Sequence, residues 1–192
     1  MTPARPRRWS GPSKGRGFEH EGHSQTLALK SPDRLLSLIL CDPTSRVPAE
    51  AKPTWEERIR VAETRGMTPL VEPTIERWFT PGFRERRPEV VDRVRAMIRA
   101  TQPRGYVGCC HAIAGLDLTD RLSAIRLPTL VVVGADDPGT PVAAARVIHE
   151  QIKGSRLVVI PSAAHLSNLE QPQAFTEAVT SFLSGLYLVH RA

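Results

Sequence analysis

The sequence predicts an α/β fold in which helices flank a small parallel sheet and a helical insertion interrupts the chain. Three mainly apolar runs of strand length predict the sheet: 35–41 (LLSLILC), 129–133 (TLVVV) and Arg156–Ile160 (RLVVI). Runs without a polar face are typical of parallel strands that helices cover on both sides. Helical stretches follow the second and the third run, which is the strand–helix alternation of a doubly wound sheet.

Local signals set the ends of the helices that would flank this sheet. Residues 25–30 predict a short helix before the first strand. A second helix is predicted from Thr140, as its N-cap, to about residue 152, with Gly154 following its end. A closing helix is predicted to begin at Pro172, with these apolar side chains facing the sheet: Phe175, Val179, Phe182 and Leu183.

The stretch 53–106 has the sequence pattern of several short helices. Thr54 and Glu57 have the spacing of a capping box, and Gly66 stands where a helix would end. A further helix is predicted over 89–100, with one apolar face: Val90, Val91, Val94, Met97 and Ile98. We therefore interpret the whole stretch as an all-helical insertion.

These signals divide the chain into three parts. Residues 1–24 predict an irregular, disordered basic tail. We predict that the α/β core consists of residues 25–52 and 107–192, and that residues 53–106 form a helical cap.

The basic charge of the chain is concentrated in the tail. Of the formal net charge of +6, five positive charges precede the first acid, Glu19. The remainder is nearly neutral and has no nucleic-acid recognition motif, so we expect no nucleic-acid partner. No apolar run approaches the ~20 residues that a membrane helix needs, and no secretory signal pattern is present, so we expect no membrane partner.

The cysteine content indicates the redox environment. Cys41, Cys109 and Cys110 cannot form a closed disulfide framework, and two of them are adjacent. A reducing cytoplasm is therefore the expected location. We expect neither a metal nor a cofactor, and the sequence does not indicate the oligomeric state.

Asp137 and His165 follow two successive predicted strands. Because the carboxyl ends of parallel strands meet at one edge of a sheet, both side chains are expected on adjacent loops there. A carboxylate at Nδ1 of an imidazole fixes its tautomer and stabilises the imidazolium that forms in catalysis. Taken singly, Asp137 is explained as well by a turn, and His165 by a surface position. Together they predict the acid and the base of a nucleophilic hydrolase.

The sequence around both residues resembles the end of the α/β-hydrolase fold: strand-Gly-x-x-Asp-x-x-Thr-Pro, then strand-x-x-x-Ala-His-x-x-x-x-Glu-x-Pro. Four segments resemble the 3-oxoadipate enol-lactonases of the β-ketoadipate pathway of aromatic degradation: LILCDPTSRVP, WFTPGFRERRPE, GYVGCCHAI and IPSAAHLSNLEQPQAF. This resemblance covers residues 25–183 and implies the C-terminal part of an α/β-hydrolase fold, with 53–106 as the cap over the site. It implies Asp137 as the triad acid, with Asp136 as the alternative, and His165 as the general base.

The resemblance also implies a substrate class. The family acts on a carboxylated enol-lactone, so one of the eleven arginines of the cap would hold the carboxylate. Trp78 and Phe79 would face this small-molecule substrate or else pack within the cap. Cys109 and Cys110 would serve as small apolar packing and not as nucleophiles.

The nucleophile is where the sequence departs from the family. The family places its serine in Gly-x-Ser-x-Gly between a strand and a helix, where small residues permit a tight turn. Gly22-His23-Ser24 supplies the first half, which makes Ser24 the candidate nucleophile, but no glycine follows and no apolar run precedes it. The first strands and the loop that donates an oxyanion-hole N–H have no counterpart in residues 1–20. We therefore interpret the chain as truncated or rearranged, and expect no lactone hydrolysis above background from it alone.

Three functions are left open by these observations. Enol-lactone hydrolysis is the leading hypothesis. A second is another α/β-hydrolase reaction, of an esterase or a haloperoxidase-like protein, because the acid and the histidine alone do not select a substrate. A third is an inactive hydrolase remnant that binds a partner through the exposed edge of its sheet.

Overall fold

The computed structural model describes residues 24–189, with the backbone alone for 187–189. The sheet within this part has three parallel strands: β1 (Leu38–Cys41), β2 (Thr129–Gly134) and β3 (Arg156–Ile160). They lie in the order β1-β2-β3, with Leu38 opposite Thr129 and Gly134 opposite Ile160. The predicted α/β fold with a parallel sheet is confirmed, and the carboxyl ends of all three strands lie at one edge.

Helices cover both faces of β2, and for this reason all six of its residues are buried. The flanking helices are α1 (Ser24–Lys30), α7 (Val142–Gln151) and α9 (Pro172–Val189). Val131 and Val133 share one buried cluster with residues of α1 and α7, while Leu130 and Val132 pack against Phe182 of α9. Burying a valine or leucine side chain contributes about 1.5–3 kcal/mol, so β2 is a firm support for the loop that follows it.

The first strand is shorter than the sequence predicted. We predicted a strand over 35–41, whereas β1 begins at Leu38. Its pairing starts there because Leu38 N donates to the carbonyl of Pro128 at 2.9 Å, immediately before β2 begins. Leu36, in the predicted part that is not paired, is 85% exposed.

Two helices begin at other residues than the sequence predicted. α1 begins at Ser24, which we had predicted to be in the irregular tail. Residues 1–23 of that tail lie outside the described residues. α7 begins at Val142 with Pro141 as its N-cap, and no side chain caps it; Thr140 lies one residue too early, and its hydroxyl donates to a carboxylate oxygen of Asp137.

The predicted insertion is helical throughout. Its helices are α2 (Lys52–Arg65), α3 (Val71–Trp78), α4 (Pro81–Arg86), α5 (Pro88–Ala100) and α6 (Pro103–Ala114). Short 3-10 turns occur at Pro32–Arg34, Ala49–Ala51, Thr68–Leu70 and Thr119–Ala124. The predicted boundary between 106 and 107 falls inside α6, which continues without a break until Gly115 and packs along α2.

The cap has an apolar core of its own. Ile75, Phe79 and Val91 are almost fully buried in it, together with the predicted α5 face of Val90, Val94 and Ile98. Gly66 ends α2 with a φ of 72°, the left-handed conformation that glycine adopts without strain. Met97, which we predicted to be on the apolar face, is 70% exposed, because it lies at the margin of that stripe.

Two structural findings bear on the class of protein. Between residues 24 and 189, no helix is both long and apolar enough to cross a bilayer. In the same part of the chain, no three His, Cys, Asp or Glu side chains are grouped as a metal site requires.

Candidate active site

A titratable side chain follows each of the three strands at the carboxyl edge of the sheet. Asp42 comes directly after β1, Asp137 comes three residues after the end of β2, and His165 comes five residues after the end of β3. All three lie at the edge where parallel α/β sheets hold their functional groups.

Backbone hydrogen bonds hold the loop after β2 (residues 135–141, the acid loop) beside the loop after β3 (residues 161–166, the histidine loop). Ala135 N donates to the carbonyl of Ile160 at 2.8 Å, and Asp136 N donates to the carbonyl of Ala163 at 2.9 Å. These bonds continue the pairing of the two strands beyond their ends. The separation of the two loops is therefore fixed by the sheet itself.

The Asp137 carboxylate is fully enclosed, since its side chain has no exposed surface. Its Oδ1 accepts hydrogen bonds from the backbone N–H groups of Gly139 (2.8 Å) and Thr140 (3.1 Å). Its Oδ2 accepts from the Thr140 hydroxyl (2.6 Å) and lies 2.8 Å from Nδ1 of His165. A carboxylate held by this many donors has a fixed orientation.

The contact with Asp137 sets the tautomer of His165. An ionised carboxylate can only accept, so Nδ1 of His165 carries the hydrogen and donates it to Oδ2 at 2.8 Å. In the neutral ring Nε2 is then unprotonated, and no described residue forms a hydrogen bond with it. An imidazole in this state can take a proton from a serine hydroxyl.

Trp78, at the end of α3, brings the cap over His165. The two rings are stacked, with centroids 6.0 Å apart and planes inclined by 24°. Leu166 N donates to the carbonyl of Trp78 at 3.1 Å, which fixes the cap to the residue after the histidine. Phe79 points elsewhere: it is 1% exposed and stacks on Phe83 inside the cap. Of the two aromatic residues considered from the sequence, only Trp78 reaches the histidine.

A buried glutamate ties the cap to the histidine loop a second time. Glu170 ends the short helix α8 (Ser167–Glu170). Its Oε1 accepts from both the backbone N–H (2.9 Å) and the hydroxyl (2.6 Å) of Thr80, the N-cap of α4. Its Oε2 accepts from the N–H of Ala164. The residues on either side of His165 are thus held by the cap and by α8.

The electrostatics of the pair favour the ion-paired state. Burial alone would raise the pKa of Asp137, but the hydrogen bonds from His165 and Thr140 outweigh it and lower that pKa. Burial alone would lower the pKa of His165, but the hydrogen bond to Asp137 and the charges of Asp137 and Asp42 outweigh it and raise that pKa. Both shifts stabilise imidazolium beside carboxylate, which is the state a general base enters when it takes a proton.

The shift of His165 predicts a pH dependence of stability. A raised folded-state pKa contributes stability that is fully present below the ordinary histidine value of 6.5 and is lost as the pH rises through the folded value. We therefore expect His165→Gln to lower the free energy of unfolding more at about pH 6 than at about pH 9, which urea denaturation measures. Asp137 is ionised over this range, because its pKa is lowered. Equal losses at both pH values would contradict the raised pKa.

Asp42 is the residue of this edge that the sequence analysis missed. It is 7% exposed, and its carboxylate accepts hydrogen bonds from Gly134 N (2.8 Å) and from the Ser167 hydroxyl (2.9 Å). The signal was available, because Asp42 follows β1 as Asp137 follows β2, and the same rule about strand ends applies to both.

Arg77 is the cap cation within electrostatic reach of His165. Its positive charge acts to lower the pKa of the histidine. Burial, followed by the charge of Arg58, lowers the pKa of Arg77 itself. Among the described residues no carboxylate lies within ion-pair distance of Arg77, and its one side-chain hydrogen bond goes to Thr74 (3.2 Å). Arg77 also lines an open surface cavity of about 400 Å³, which His165 does not line.

The remaining candidates lie apart from this cluster. Ser24 is exposed at the start of α1 and forms no hydrogen bond with His165 in the described part of the chain. Asp136 is exposed, and only its backbone takes part in the loop contact, so the geometry places Asp137 and not Asp136 against the imidazole. Cys110 is buried in α6, as packing would require, whereas the adjacent Cys109 is exposed.

Comparison with known proteins identifies the family. Residues 22–172 match the family model described as the alpha/beta hydrolase fold. The chain is 38% identical over 159 residues to 3-oxoadipate enol-lactonase 2 of Acinetobacter baylyi, covering 83% of this chain and 58% of that protein. Its structure resembles the enol-lactonase of Burkholderia xenovorans LB400 (TM-score 0.79, 34% identity, 84% of this chain and 61% of that one). It resembles equally a thermophilic esterase of Thermogutta terrifontis solved with malate bound (TM-score 0.79, 34% identity, 84% and 60%).

The matches cover only part of the length of these relatives. The chain spans about three fifths of the length of the relatives it matches. The shared part includes the strands, the cap and the loops that carry Asp137 and His165. The chain belongs to the α/β-hydrolase family.

Proposed function

We propose that this chain provides the acid and the histidine of a serine-hydrolase site that opens a small carboxylated enol-lactone. The observation that carries the proposal is the 2.8 Å contact between Asp137 and His165, with Nε2 left free, beneath a cap residue. The 38% identity to an enol-lactonase supports the choice of lactone as substrate.

The proposed mechanism assigns one role to each residue of the pair. Nε2 of His165 takes the proton of a serine hydroxyl as the serine oxygen attacks the lactone carbonyl. Ring opening breaks the acyl–oxygen bond and leaves an acyl-enzyme whose acyl chain carries the enolate oxygen, to which His165 returns the proton. A water molecule, deprotonated by the same nitrogen, then attacks the acyl carbonyl; the acyl–serine bond breaks, and His165 returns this proton to the serine oxygen. Asp137 keeps the hydrogen on Nδ1 and stabilises the imidazolium in both steps.

The nucleophile is the open element of this proposal. Ser24 is the candidate that the chain offers, although no contact joins it to His165. The alternative is a serine in the part of the enol-lactonases that this chain does not match. Both sources are compatible with the roles of His165 and Asp137, so the assay has to separate them.

The assay compares two forms of the protein on three substrates. One form is the printed chain, and the other has the part of the Acinetobacter enol-lactonase that this chain does not match joined before residue 24. The substrates are 3-oxoadipate enol-lactone, a lactone of the same ring without the carboxylate, and a simple p-nitrophenyl ester. We expect the highest kcat/KM on the carboxylated lactone. Turnover by the printed chain that disappears in Ser24→Ala would identify Ser24 as the nucleophile.

A simple-ester hydrolase is the second candidate function. It is favoured by the equal structural similarity to the Thermogutta esterase. The same three substrates decide between the two, since an esterase would prefer the p-nitrophenyl ester and gain nothing from the carboxylate. That preference would contradict the enol-lactonase proposal while leaving the Asp137–His165 pair in place.

Arg77 is the cap arginine that we propose for the substrate carboxylate. It is half-buried, lacks a carboxylate partner among the described residues, and its charge acts on the pKa of His165. A charge-assisted hydrogen bond contributes about 1.5–3 kcal/mol, so we expect Arg77→Gln to lower kcat/KM on the carboxylated lactone by about 10- to 100-fold, mainly through KM. The lactone without a carboxylate should be affected far less.

An exposed arginine provides the matched control for this prediction. Arg93, on α5, loses the same charge in Arg93→Gln and should leave the kinetics on both lactones unchanged. Equal losses on both lactones in Arg77→Gln would show that Arg77 supports the cap and does not bind the carboxylate.

A further inference from the structure

Asp42 is in contact with all three segments that form the candidate site. Its Oδ1 accepts from the N–H of Gly134, the last residue of β2, and its Oδ2 accepts from the hydroxyl of Ser167, two residues after His165. Its backbone carbonyl lies 2.9 Å from the hydroxyl oxygen of Thr140, whose one hydrogen is donated to Asp137. The proposed mechanism uses the residues that follow β2 and β3. The hydrogen bonds of Asp42 join the end of β1 to both of these segments.

The backbone conformation of Asp42 is one that few residue types adopt. Its φ is 48°, in the left-handed region that residues other than glycine seldom adopt. Aspartate and asparagine are among the few side chains that tolerate this conformation, because they can hydrogen-bond locally. The two buried hydrogen bonds of the carboxylate hold the residue in place.

Asp42 also contributes charge to the site. The titratable groups around it come from three adjoining segments: Cys41 from β1, Asp137 from the acid loop, and His165 from the histidine loop. The negative charge of Asp42 raises the pKa of His165, in opposition to Arg77. Burial raises the pKa of Asp42 to about 6, so it titrates in the range where imidazoles titrate.

We propose that Asp42 is a positioning residue for the Asp137–His165 pair. It ties the acid loop and the histidine loop to the end of β1, and its buried carboxylate is a second negative charge that stabilises the imidazolium. The proposal rests on the same pair as the proposed function but not on its nucleophile or its substrate, so it can be tested without turnover.

The titration of His165 in the printed chain provides the test. When two groups interact and titrate in the same range, each curve reports both protonation steps. NMR signals of the imidazole, assigned by their loss in His165→Gln, should therefore follow a two-step curve in the unmodified chain. Asp42→Asn keeps the shape of the side chain and an oxygen that accepts from Gly134 N, but removes the charge.

The expected result is a shift of the His165 midpoint to lower pH in Asp42→Asn, with the second step lost. Asp136→Asn is the matched control, because it removes the same charge from an exposed aspartate one residue from Asp137. It should leave both steps in place. A His165 curve that is unchanged in a folded Asp42→Asn protein would overturn the proposal, since a purely structural role for Asp42 would not alter it. A shift of equal size in Asp136→Asn would overturn it as well.

A second variant keeps the proposal testable if Asp42→Asn does not fold. The Ser167 hydroxyl donates to Asp42 and lowers its pKa. Ser167→Ala removes this donor and only one oxygen atom, so the step that belongs to Asp42 should move to higher pH in the His165 curve. A His165 curve identical to that of the unmodified chain would overturn the proposal.

Discussion

His165→Ala is expected to lower kcat on the enol-lactone by about 10⁴- to 10⁶-fold in whichever form of the protein turns it over. The reason is that Nε2, the free nitrogen of the ring, is the only described base that Asp137 orients. KM should change little, because the imidazole acts on the serine proton and not on the bound lactone. Steady-state kinetics on the printed chain and on the form with the added N-terminal part measure this effect.

Asp137→Asn should lower kcat on the enol-lactone by about 10⁴-fold, for a different reason. An amide in place of the carboxylate can donate to Nδ1, which leaves the hydrogen on Nε2 and the ring in the wrong tautomer. Asp136→Asn is the matched control and should retain near-normal rates, since the Asp136 side chain is exposed. A large loss in Asp136→Asn together with a normal rate in Asp137→Asn would reverse the assignment of the acid.

The positions of Asp137 and His165 could be predicted from sequence because they depend on the sheet. Both follow mainly apolar runs of strand length, of which β2 is fully buried and β3 is partly exposed, and parallel strands bring their carboxyl ends together. Asp42 follows a strand in the same way. It was not predicted, because an aspartate before a proline is explained as well by a turn.

Other features could not be predicted, because they depend on packing between distant segments. Trp78 and Phe79 are adjacent and both aromatic, but α3 ends between them, and only one can turn to the histidine loop. Thr140 was expected to cap α7, but Pro141 takes the N-cap position, and the Thr140 hydroxyl donates to the carboxylate of Asp137. In both cases the decisive partner is remote in sequence or becomes available only once the fold has formed.

Gly134→Ala is expected to destabilise the fold by about 3 kcal/mol, which lowers Tm by about 6–12 °C. A Cβ at this position would lie 2.2 Å from the carbonyl oxygen of Ala164 and 2.4 Å from that of Ala163. Both atoms are backbone, so no side-chain rotation can relieve the clash. The glycine is therefore required by the close approach of the histidine loop to the end of β2.

The same clash should loosen the site. To admit the methyl group, the loop before His165 has to move away from β2, which strains the bond from Asp136 N to the carbonyl of Ala163 and lengthens the contact with Asp137. We expect the pKa of His165 to fall towards its ordinary value in Gly134→Ala, because the hydrogen bond and the charge that raise it are both weakened. Thermal unfolding and the NMR titration of His165 measure the two effects on one sample.

Gly108 provides the control that separates this clash from a general effect of replacing glycine. It lies within α6, and a Cβ there would meet no atom within 4 Å. Because alanine favours the helix over glycine, Gly108→Ala should raise stability by about 0.5–1 kcal/mol. If Gly134→Ala unfolded at the same temperature as the unmodified chain, the close contact between β2 and the histidine loop would not exist in solution. The fixed distance between Asp137 and His165, on which the proposed mechanism depends, would then lose its structural cause.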